Sequence, residues 1–273
     1  MRTILYITLV LALAGCSQNN RPAMDNFYKV YGSELEDMAT ALERVAALKI
    51  YFGHQSVGYD LLSGMKQWEE EAGVQISKSE TRDLANTAGS SLVHFRVGEN
   101  RDPYSKIEDF AALVRQIPKD EPSLAFFKFC YIDFSPTADV EAIFAAYKEK
   151  MLALRDSSGN CRIVLCTVPV TTVQKGPKAL AKRILGKPLI HARENVIREA
   201  FSDRIRTELG GEFPVFDLAR VEYTLPDGTT QSYKHQGKTY PRLPESYTRD
   251  RGHLNPYGAR IVAYNFIAFL SEL

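Results

Sequence analysis

The chain has little cysteine, a single tryptophan and almost no net charge. None of its four cysteines forms a Cys-x-x-Cys pair, so the commonest sequence signature of a structural metal site is missing. A formal charge of +1 gives no global reason to expect nucleic acid as a partner. No internal repeat or low-complexity tract is visible. A hydrophobic fraction of 45% and a charged fraction of 25% are instead typical of one large globular domain.

The amino-terminal apolar stretch is too short to span a bilayer. Residues 4–14 follow Arg2, and a positive charge followed by a short apolar run is typical of a secretory signal. The stretch ends in Leu13-Ala14-Gly15-Cys16, which resembles the lipobox of bacterial lipoproteins. The resemblance implies a signal peptide at 1–15 that is cleaved before Cys16, whose thiol and new amino group are then acylated. The alternative is an ordinary signal peptide followed by a chance cysteine.

A lipid anchor at Cys16 would attach the protein to a membrane of the cell envelope. Residues 16–23 then form a short polar tether. Ser17, directly after the acylated position, favours the periplasmic face of the outer membrane if the host has two membranes. An oxidising compartment allows one disulfide among Cys130, Cys161 and Cys166. The apolar surroundings of Cys130 and Cys166 favour buried free thiols instead.

Strand-like and helix-like segments alternate along residues 24–273. Short runs rich in apolar and β-branched residues predict five strands, at 49–52, 74–76, 124–132, 162–168 and 214–217. Apolar residues at helical spacing predict helices at 24–48, 61–68, 138–155, 192–209 and 256–270. Such alternation is typical of a parallel sheet with helices on both faces. The sequence therefore predicts an α/β fold, a three-layer α/β/α sandwich around a mostly parallel five-stranded sheet, with a helical extension at the amino terminus.

A serine between two glycines follows the first predicted strand. The segment Gly53-His54-Gln55-Ser56-Val57-Gly58 lies at the carboxyl end of that strand, where the loops of a parallel sheet border the ligand crevice. A serine at the start of the next helix lies beside exposed backbone N–H groups, which favour developing negative charge. A serine that only caps the helix is the structural alternative, and this segment alone does not decide between the two.

An aspartate and a histidine three residues apart precede the last predicted helix. In Asp250-Arg251-Gly252-His253, a turn at the glycine can bring the Asp250 carboxylate to the Nδ1–H of His253. That contact fixes the imidazole tautomer and leaves Nε2 free to accept a proton from a hydroxyl. A serine hydroxyl needs such a base before it becomes an effective nucleophile. We therefore predict that Ser56, His253 and Asp250 form one catalytic site.

This arrangement resembles the SGNH (GDSL-type) hydrolase family. Members carry a nucleophilic serine after the first strand and Asp-x-x-His before the last helix, here Ser56 and the segment 250–258, DRGHLNPYG. The resemblance implies a flavodoxin-like topology and ester hydrolysis through an acyl-serine intermediate, in which His253 is the general base and Asp250 orients it. It implies no metal ion and no organic cofactor. Gly53-His54-Gln55-Ser56 departs from the family's Gly-Asp-Ser.

The family's oxyanion hole is matched less well. Its donors are the backbone N–H of the serine, a glycine N–H after the second strand and an asparagine side chain after the third. The resemblance assigns the first two to Ser56 and Gly89, with Gly98 as a rival glycine. The segment after the third predicted strand contains no asparagine, so Asn100 or the hydroxyl of Tyr131 is the candidate third donor.

Four residues near the predicted site are candidate substrate contacts: His54, Gly98, Tyr131 and Asp133. His54 could orient a substrate beside the serine, and a packed or solvent-facing histidine is the structural alternative. Asp133 could line the site or be a buried, hydrogen-bonded turn residue. The sequence leaves these alternatives open.

Two further segments bear on the substrate. Residues 175–198 carry seven basic residues and a single acid, Glu194, which indicates a solvated helix face or a basic rim for anionic glycans or phospholipid headgroups. Residues 223–247 form a tyrosine-rich loop before Asp250, and long loops beside catalytic residues often shape a substrate pocket. Because its tyrosines could stack on sugar rings, we expect a carbohydrate O-acetyl ester of the envelope as substrate. A lysophospholipase or lipase-like esterase and an acetyltransferase are alternatives.

An alternative of another class is a ligand-binding lipoprotein with a hydrolase scaffold and no activity. The missing asparagine motivates this alternative. The two hypotheses differ in the geometry they require. A hydrogen-bonded chain from Asp250 through His253 to Ser56 favours catalysis, whereas a blocked Ser56 favours binding alone.

Overall fold

The computed structural model describes residues 38–273. The predicted signal peptide, the acylation site at Cys16 and the tether lie outside the described residues, as does most of the helix predicted at 24–48. Across 38–273, none of the helices combines the length and the apolar character that crossing a bilayer requires.

Helices and strands alternate through most of the described chain. The helices are α1 (Met38–Ala47), α2 (Ser56–Ala72), α3 (Pro103–Val114), α4 (Val140–Ser157), α5 (Pro177–Ile184), α6 (Ala192–Arg204), α7 (Leu218–Tyr223) and α8 (Pro256–Ser271). The strands are β1 (Ile50–His54), β2 (Lys78–Glu80), β3 (Leu92–Arg96), β4 (Ser123–Phe127), β5 (Cys161–Ile163), β6 (Leu165–Cys166), β7 (Val215–Phe216), β8 (Ser232–His235) and β9 (Lys238–Pro241). A π-helical turn at Ile205–Leu209 extends α6.

Five parallel strands form the central sheet in the order β2-β3-β1-β4-β5. The layer continues past β5, because the Val164 N–H donates to the Ala125 carbonyl at 2.9 Å and β6 then pairs in parallel with β7. Apart from the three-residue edge strand β2, the order of strands along this layer is the flavodoxin-like order 2-1-3-4-5. The predicted fold class is confirmed.

The strands differ from the prediction in several places. The strand predicted at 124–132 ends at Phe127, and the one predicted at 162–168 is divided into β5 and β6. No strand forms at 74–76, and the edge strand β2 begins two residues later. The sequence does not predict β3, because His94 and Arg96 interrupt its apolar pattern. The segment 223–247, predicted as a loop, contains the antiparallel hairpin β8-β9.

The core lies on both faces of the sheet. Ile50 and Phe52 of β1 pack with α1, α2 and α8, whereas Tyr51 points to the opposite face, where α3, α4 and α6 pack. Because both faces of β1 are covered, all five of its residues are buried. Cys130, Cys161 and Cys166 are buried free thiols.

Helices α2 and α8 approach each other very closely. A Cβ at Gly64 of α2 would lie 2.1 Å from the carbonyl oxygen of Ala259 of α8, so only glycine permits the contact. Trp68, one turn further along α2, donates from Nε1 to the carbonyl of Arg260 at 2.8 Å. These two helices therefore form one packed unit, with Ser56 at the start of α2 and Asn255 capping the start of α8.

Candidate active site

Ser56 is the first residue of α2, and its side chain is exposed. Gln55 precedes it in an extended conformation and does not cap the helix with its side chain. The Gln55 amide donates instead to the carbonyls of Val97 and Gly98, both at 2.9 Å, and so holds the turn against the segment that follows β3. First-turn N–H groups have no intrahelical acceptor, and they favour negative charge near the serine hydroxyl.

Gly58 makes room for the buried ring of His54. A Cβ at Gly58 would lie 2.2 Å from Cγ of His54. The His54 ring is fully buried, with Nδ1 2.8 Å from the Gln55 carbonyl and Nε2 3.2 Å from Nδ1 of His94. Burial lowers the pKa of His54 to about 3, so the ring is neutral. His54 supports the turn from inside, and the prediction that it contacts substrate is wrong.

Asp250, His253 and Ser56 form a continuous hydrogen-bonded chain. Oδ2 of Asp250 lies 2.7 Å from Nδ1 of His253, and Nε2 of His253 lies 2.8 Å from Oγ of Ser56. The other carboxylate oxygen accepts the backbone N–H groups of Gly252 and His253, at 3.2 and 2.9 Å. Partial burial opposes ionisation of Asp250, but these hydrogen bonds outweigh it and hold the pKa of Asp250 below its ordinary value. The structure thus brings the three predicted side chains together.

Tyr131 lies against the Asp250 side of this imidazole. Its hydroxyl is 3.4 Å from Nδ1 of His253, and its ring packs so closely on Gly252 that a Cβ there would lie 2.5 Å from a ring carbon. Burial, followed by the nearby charge of Asp250, raises the pKa of Tyr131 to about 12. Since Ser56 bonds the opposite nitrogen of the ring, the Tyr131 hydroxyl is not placed to stabilise an oxyanion there. This contact gives the hypothesis that Tyr131 supplies the third donor no support.

Asp60 holds the histidine loop in place, and the sequence reasoning misses it. Its Oδ1 accepts a hydrogen bond from Nη2 of Arg249 at 2.9 Å, and its Oδ2 accepts the N–H of Leu254 at 3.1 Å. Arg249 also donates to the Leu254 carbonyl. The sequence signal for Asp60 is its position, one helical turn after Ser56 and directly before the apolar pair Leu61-Leu62.

The loop after β3 borders the same turn. Gly98 has φ of +48°, and its N–H donates to Oδ2 of Asp109 at 2.7 Å, so this N–H is not available to an oxyanion. Its role as the rival oxyanion glycine is therefore not supported. Asn100 has an exposed side chain, and its Oδ1 accepts a hydrogen bond from Nζ of Lys106 at 3.0 Å. That bond turns the amide NH₂ of Asn100 away from Lys106.

Asp133 is a structural residue rather than a substrate contact. Its Oδ2 lies 2.6 Å from Nζ of Lys106, and both side chains are fully buried. The same carboxylate accepts the backbone N–H groups of Cys130 and Arg101, at 2.7 and 2.9 Å. The alternative of a buried, hydrogen-bonded turn residue is correct, and Asp133 joins the loops after β3 and β4.

Gly89 lies at the wrong end of the sheet for an oxyanion donor. It precedes Leu92, which pairs with Ile50, the first residue of β1, whereas Ser56 follows the last residue of that strand. Five strand residues span about 17 Å, so a Gly89 N–H cannot reach a group bound at Ser56. The sequence pattern does not predict β3, so it places Gly89 after a strand, whereas the structure has Gly89 in the loop before β3.

Arg198 does not belong to a solvated basic face. Its side chain is buried, and it donates to the Tyr131 carbonyl at 2.8 Å, to Oγ1 of Thr171 at 2.8 Å and to Oδ1 of Asn195 at 2.6 Å. Burial lowers the pKa of Arg198 to about 10. The guanidinium therefore ties the segment that carries Tyr131 to α6.

Solved structures with the same architecture support the fold assignment. An inferred acylhydrolase from Bacteroides fragilis is 11% identical, with a TM-score of 0.50, and the match covers 88% of this chain and 99% of that chain. A GDSL-like lipase from Bacteroides thetaiotaomicron is also 11% identical, with a TM-score of 0.50, covering 86% of this chain and 99% of that chain. The chain has the SGNH/GDSL hydrolase fold. Comparisons with protein-family models and with curated proteins give no match.

Proposed function

We propose that the protein is a serine esterase that works through an acyl-serine intermediate. The observation that carries this proposal is the hydrogen-bonded chain from Asp250 through His253 to an exposed Ser56 at a helix amino terminus. Among residues 38–273, no group of three or more His, Cys, Asp or Glu side chains is placed to bind a metal ion. The proposed reaction uses only side chains and backbone groups of this chain.

The first half of the proposed reaction transfers the acyl group to the enzyme. Oγ of Ser56 attacks the ester carbonyl carbon as its proton passes to Nε2 of His253, and Asp250 stabilises the resulting imidazolium. The tetrahedral intermediate then collapses, the bond to the alcohol oxygen breaks, and the alcohol leaves with the proton from His253. In the second half, water gives a proton to Nε2 of His253 and its oxygen attacks the acyl carbon. The bond from that carbon to Oγ of Ser56 then breaks, His253 returns the proton to Oγ, and the carboxylic acid leaves.

The oxyanion requires hydrogen-bond donors near Oγ of Ser56. The backbone N–H of Ser56 lies in the first turn of α2 and is the first proposed donor. Asn100 is the second, because it lies on the loop that the Gln55 side chain holds against the serine turn. The bond from Lys106 to Oδ1 of Asn100 orients the amide and leaves its NH₂ group for the oxyanion.

The structure gives the predicted sugar-ester substrate no additional support. That prediction depended on tyrosines of 223–247 being available for stacking. Tyr233 and Tyr247 are buried, and their hydroxyls donate to the backbone carbonyls of Ala192 and Thr224. A carbohydrate O-acetyl ester therefore stays a prediction from composition, and the surface beside the site offers a different substrate class.

Labelling of the serine tests the proposed activity. A fluorophosphonate probe should modify Ser56, and the Ser56→Ala variant should lose both the label and hydrolysis of p-nitrophenyl acetate. Ser63→Ala, an exposed serine of the same helix, is the matched control and should retain both. A folded parent protein that takes no label at Ser56 would support the non-catalytic binding protein instead.

We also propose that Cys16 carries the lipid anchor that the sequence predicts. Metabolic labelling with a palmitate analogue should mark the parent protein and leave Cys16→Ser unlabelled. Label of equal intensity on both proteins would contradict the anchor. This test is independent of the proposed esterase activity.

A further inference from the structure

Large apolar side chains are exposed mainly on one short segment of the described chain. Within residues 38–273, the exposed large hydrophobic residues are Tyr104, Leu180, Ile184, Leu185 and Ile190. Four of these five lie within eleven residues, on α5 and the loop that follows it. Leu180, Ile184 and Leu185 are 60%, 77% and 67% exposed. Such a concentration of exposed apolar surface marks a binding site more often than chance scatter does.

The opposite side of the same segment is packed. Ala179 and Leu189 are buried in a small cluster with Val173, Ala192 and Tyr233. Leu180 and Ile184 are four residues apart on α5 and therefore share one face of the helix. Because the packed residues fix the orientation of α5, the outward direction of its apolar face is a property of the fold.

The segment is also strongly basic. Residues 175–190 contain five lysine or arginine residues and no acid. Lys178 and Lys187 are exposed, and Lys182 donates to the side chain of Gln174. Lys175 pairs with Glu245 at 3.1 Å, so part of its charge is compensated. Exposed apolar side chains flanked by lysines are the composition of a helix that lies in a membrane interface.

This surface adjoins the candidate active site. An open cleft of about 750 Å³ runs from α5 to the histidine loop, and its lining includes Lys175, Lys178, Arg249, Asp250 and Arg251. One wall of the cleft is thus the basic segment, and another contains the aspartate that bonds His253. The cleft therefore connects the start of α5 with the loop that carries Asp250.

We propose that α5 and residues 185–190 dock the protein onto a membrane surface that contains anionic lipids. Leu180, Ile184 and Leu185 enter the interface, and the lysines contact headgroups. A second copy of this chain fits the surface less well, because it would bring two basic segments together. An anionic glycan would satisfy the lysines and leave the apolar side chains in water. The substrate class follows, and this part rests on the proposed esterase function: an ester of a membrane lipid.

Fluorescence from the segment itself tests the docking. Full-length Ile184→Trp is mixed with vesicles of phosphatidylglycerol and phosphatidylcholine, with vesicles of phosphatidylcholine alone, and with vesicles whose acyl chains carry bromine. Trp68, the natural tryptophan, is buried and supplies a constant background. We expect the emission of Ile184→Trp to move to shorter wavelength on the anionic vesicles. We also expect brominated acyl chains in anionic vesicles to quench this emission. Ala145→Trp on the exposed face of α4 is the matched control and should change little.

Three results would overturn the docking proposal. One is unchanged emission of Ile184→Trp on anionic vesicles, and another is an equal change on phosphatidylcholine alone. The third is an equal change in the emission of Ile184→Trp without vesicles, whether it is caused by dextran sulphate or by self-association of the protein. Because every variant keeps the same amino terminus, a lipid anchor alone cannot produce the difference between Ile184→Trp and Ala145→Trp.

Kinetics test the substrate class separately. The variant Leu180→Gln/Ile184→Gln/Leu185→Gln should hydrolyse p-nitrophenyl acetate at the parental rate and an ester lipid in anionic vesicles roughly tenfold more slowly. Equal loss on both substrates, or no loss on either, would overturn the membrane-lipid assignment. If the parent hydrolyses neither ester, the proposed esterase function fails, whereas the fluorescence experiment still decides the docking.

Discussion

Asp60 joins helix α2 to the residue directly after His253, because its Oδ2 accepts the Leu254 N–H at 3.1 Å. Asp60 lies one turn after Ser56 on α2, so a single helix carries Ser56 and holds the loop that carries His253. The same carboxylate binds Arg249 at 2.9 Å. The distance from Ser56 to His253 therefore depends on a residue whose carboxylate bonds neither of those two side chains.

Replacement of Asp60 by alanine should lower kcat far more than it changes KM. The loop would lose both hydrogen bonds, and a base displaced by about 1 Å costs roughly 100-fold in rate. Asp60→Asn keeps an acceptor for the Leu254 N–H, so its kcat should fall less than that of Asp60→Ala. Steady-state kinetics on p-nitrophenyl acetate give the comparison. Glu70 is an exposed acid of the same helix, so Glu70→Gln is the control and should have the parental kcat. An unchanged kcat in Asp60→Ala would show that Asp60 does not position His253.

Asn100→Ala should lower kcat by roughly 100-fold to 1,000-fold. Loss of one oxyanion donor typically costs about 2.7–4 kcal/mol in the transition state and little in ground-state binding. Asn100→Asp keeps the size of the side chain but offers no NH₂ group, so it should be equally slow. The measurement is kcat at saturating soluble ester. If Asn100→Ala retains the parental kcat, Asn100 is not an oxyanion donor.

Glu222 makes the stability of the fold depend on pH. Its side chain is fully buried in α7, Oε2 accepts the Val170 N–H at 2.7 Å, and Oε1 has no hydrogen-bond partner among residues 38–273. Burial raises the pKa of Glu222 from its ordinary value of 4.5 to about 8. The folded state therefore favours the protonated acid, and its contribution to stability is complete below pH 4.5 and is lost as pH rises to about 8.

Glu222→Gln should remove this pH dependence. Between pH 5 and 8 the parent should lose up to about 1.4 kcal/mol of unfolding free energy per pH unit from this group, and the variant should not. Urea unfolding at several pH values measures the difference between the two proteins. If the unfolding free energies of parent and variant change equally with pH across this range, Glu222 does not titrate as described.

Gly58→Ala should destabilise the fold by about 1–3 kcal/mol, the usual cost of overpacking a buried position. Its Cβ would overlap the ring of His54, which is enclosed and cannot move into solvent. Urea midpoints provide the measurement. Gly211→Ala is the control, because its Cβ would meet nothing within 4 Å, and it should change stability by less than about 0.5 kcal/mol. Equal midpoints for the two variants would contradict the packing of His54.

The residues of the Asp250–His253–Ser56 chain could be predicted because Ser56 and the pair Asp250 and His253 each lie in a recognisable local sequence pattern. A serine after a strand and an aspartate three residues before a histidine are visible in a single segment. Their meeting follows from parallel topology, which places the carboxyl ends of the strands on one edge. Local pattern and topology together therefore predicted this contact.

Interactions between distant segments could not be predicted in this way. Lys106 and Asp133 form a fully buried pair across 27 positions, and neither has a sequence context that marks it as buried. Asp60 is a single polar residue whose partners lie 189 and 194 positions away. The failure at Gly89 has the same origin, since the order of β3 and β1 in the sheet decides which end of the sheet a loop occupies.

The contact between Gly64 and Ala259 has a consequence for when the Ser56–His253 hydrogen bond can form. The two residues come from opposite ends of the described chain, and they meet where α8 packs on α2. In a chain whose last helix is detached, Ser56 has no imidazole beside it. Unfolding of α8 alone would therefore be enough to separate the serine from the histidine.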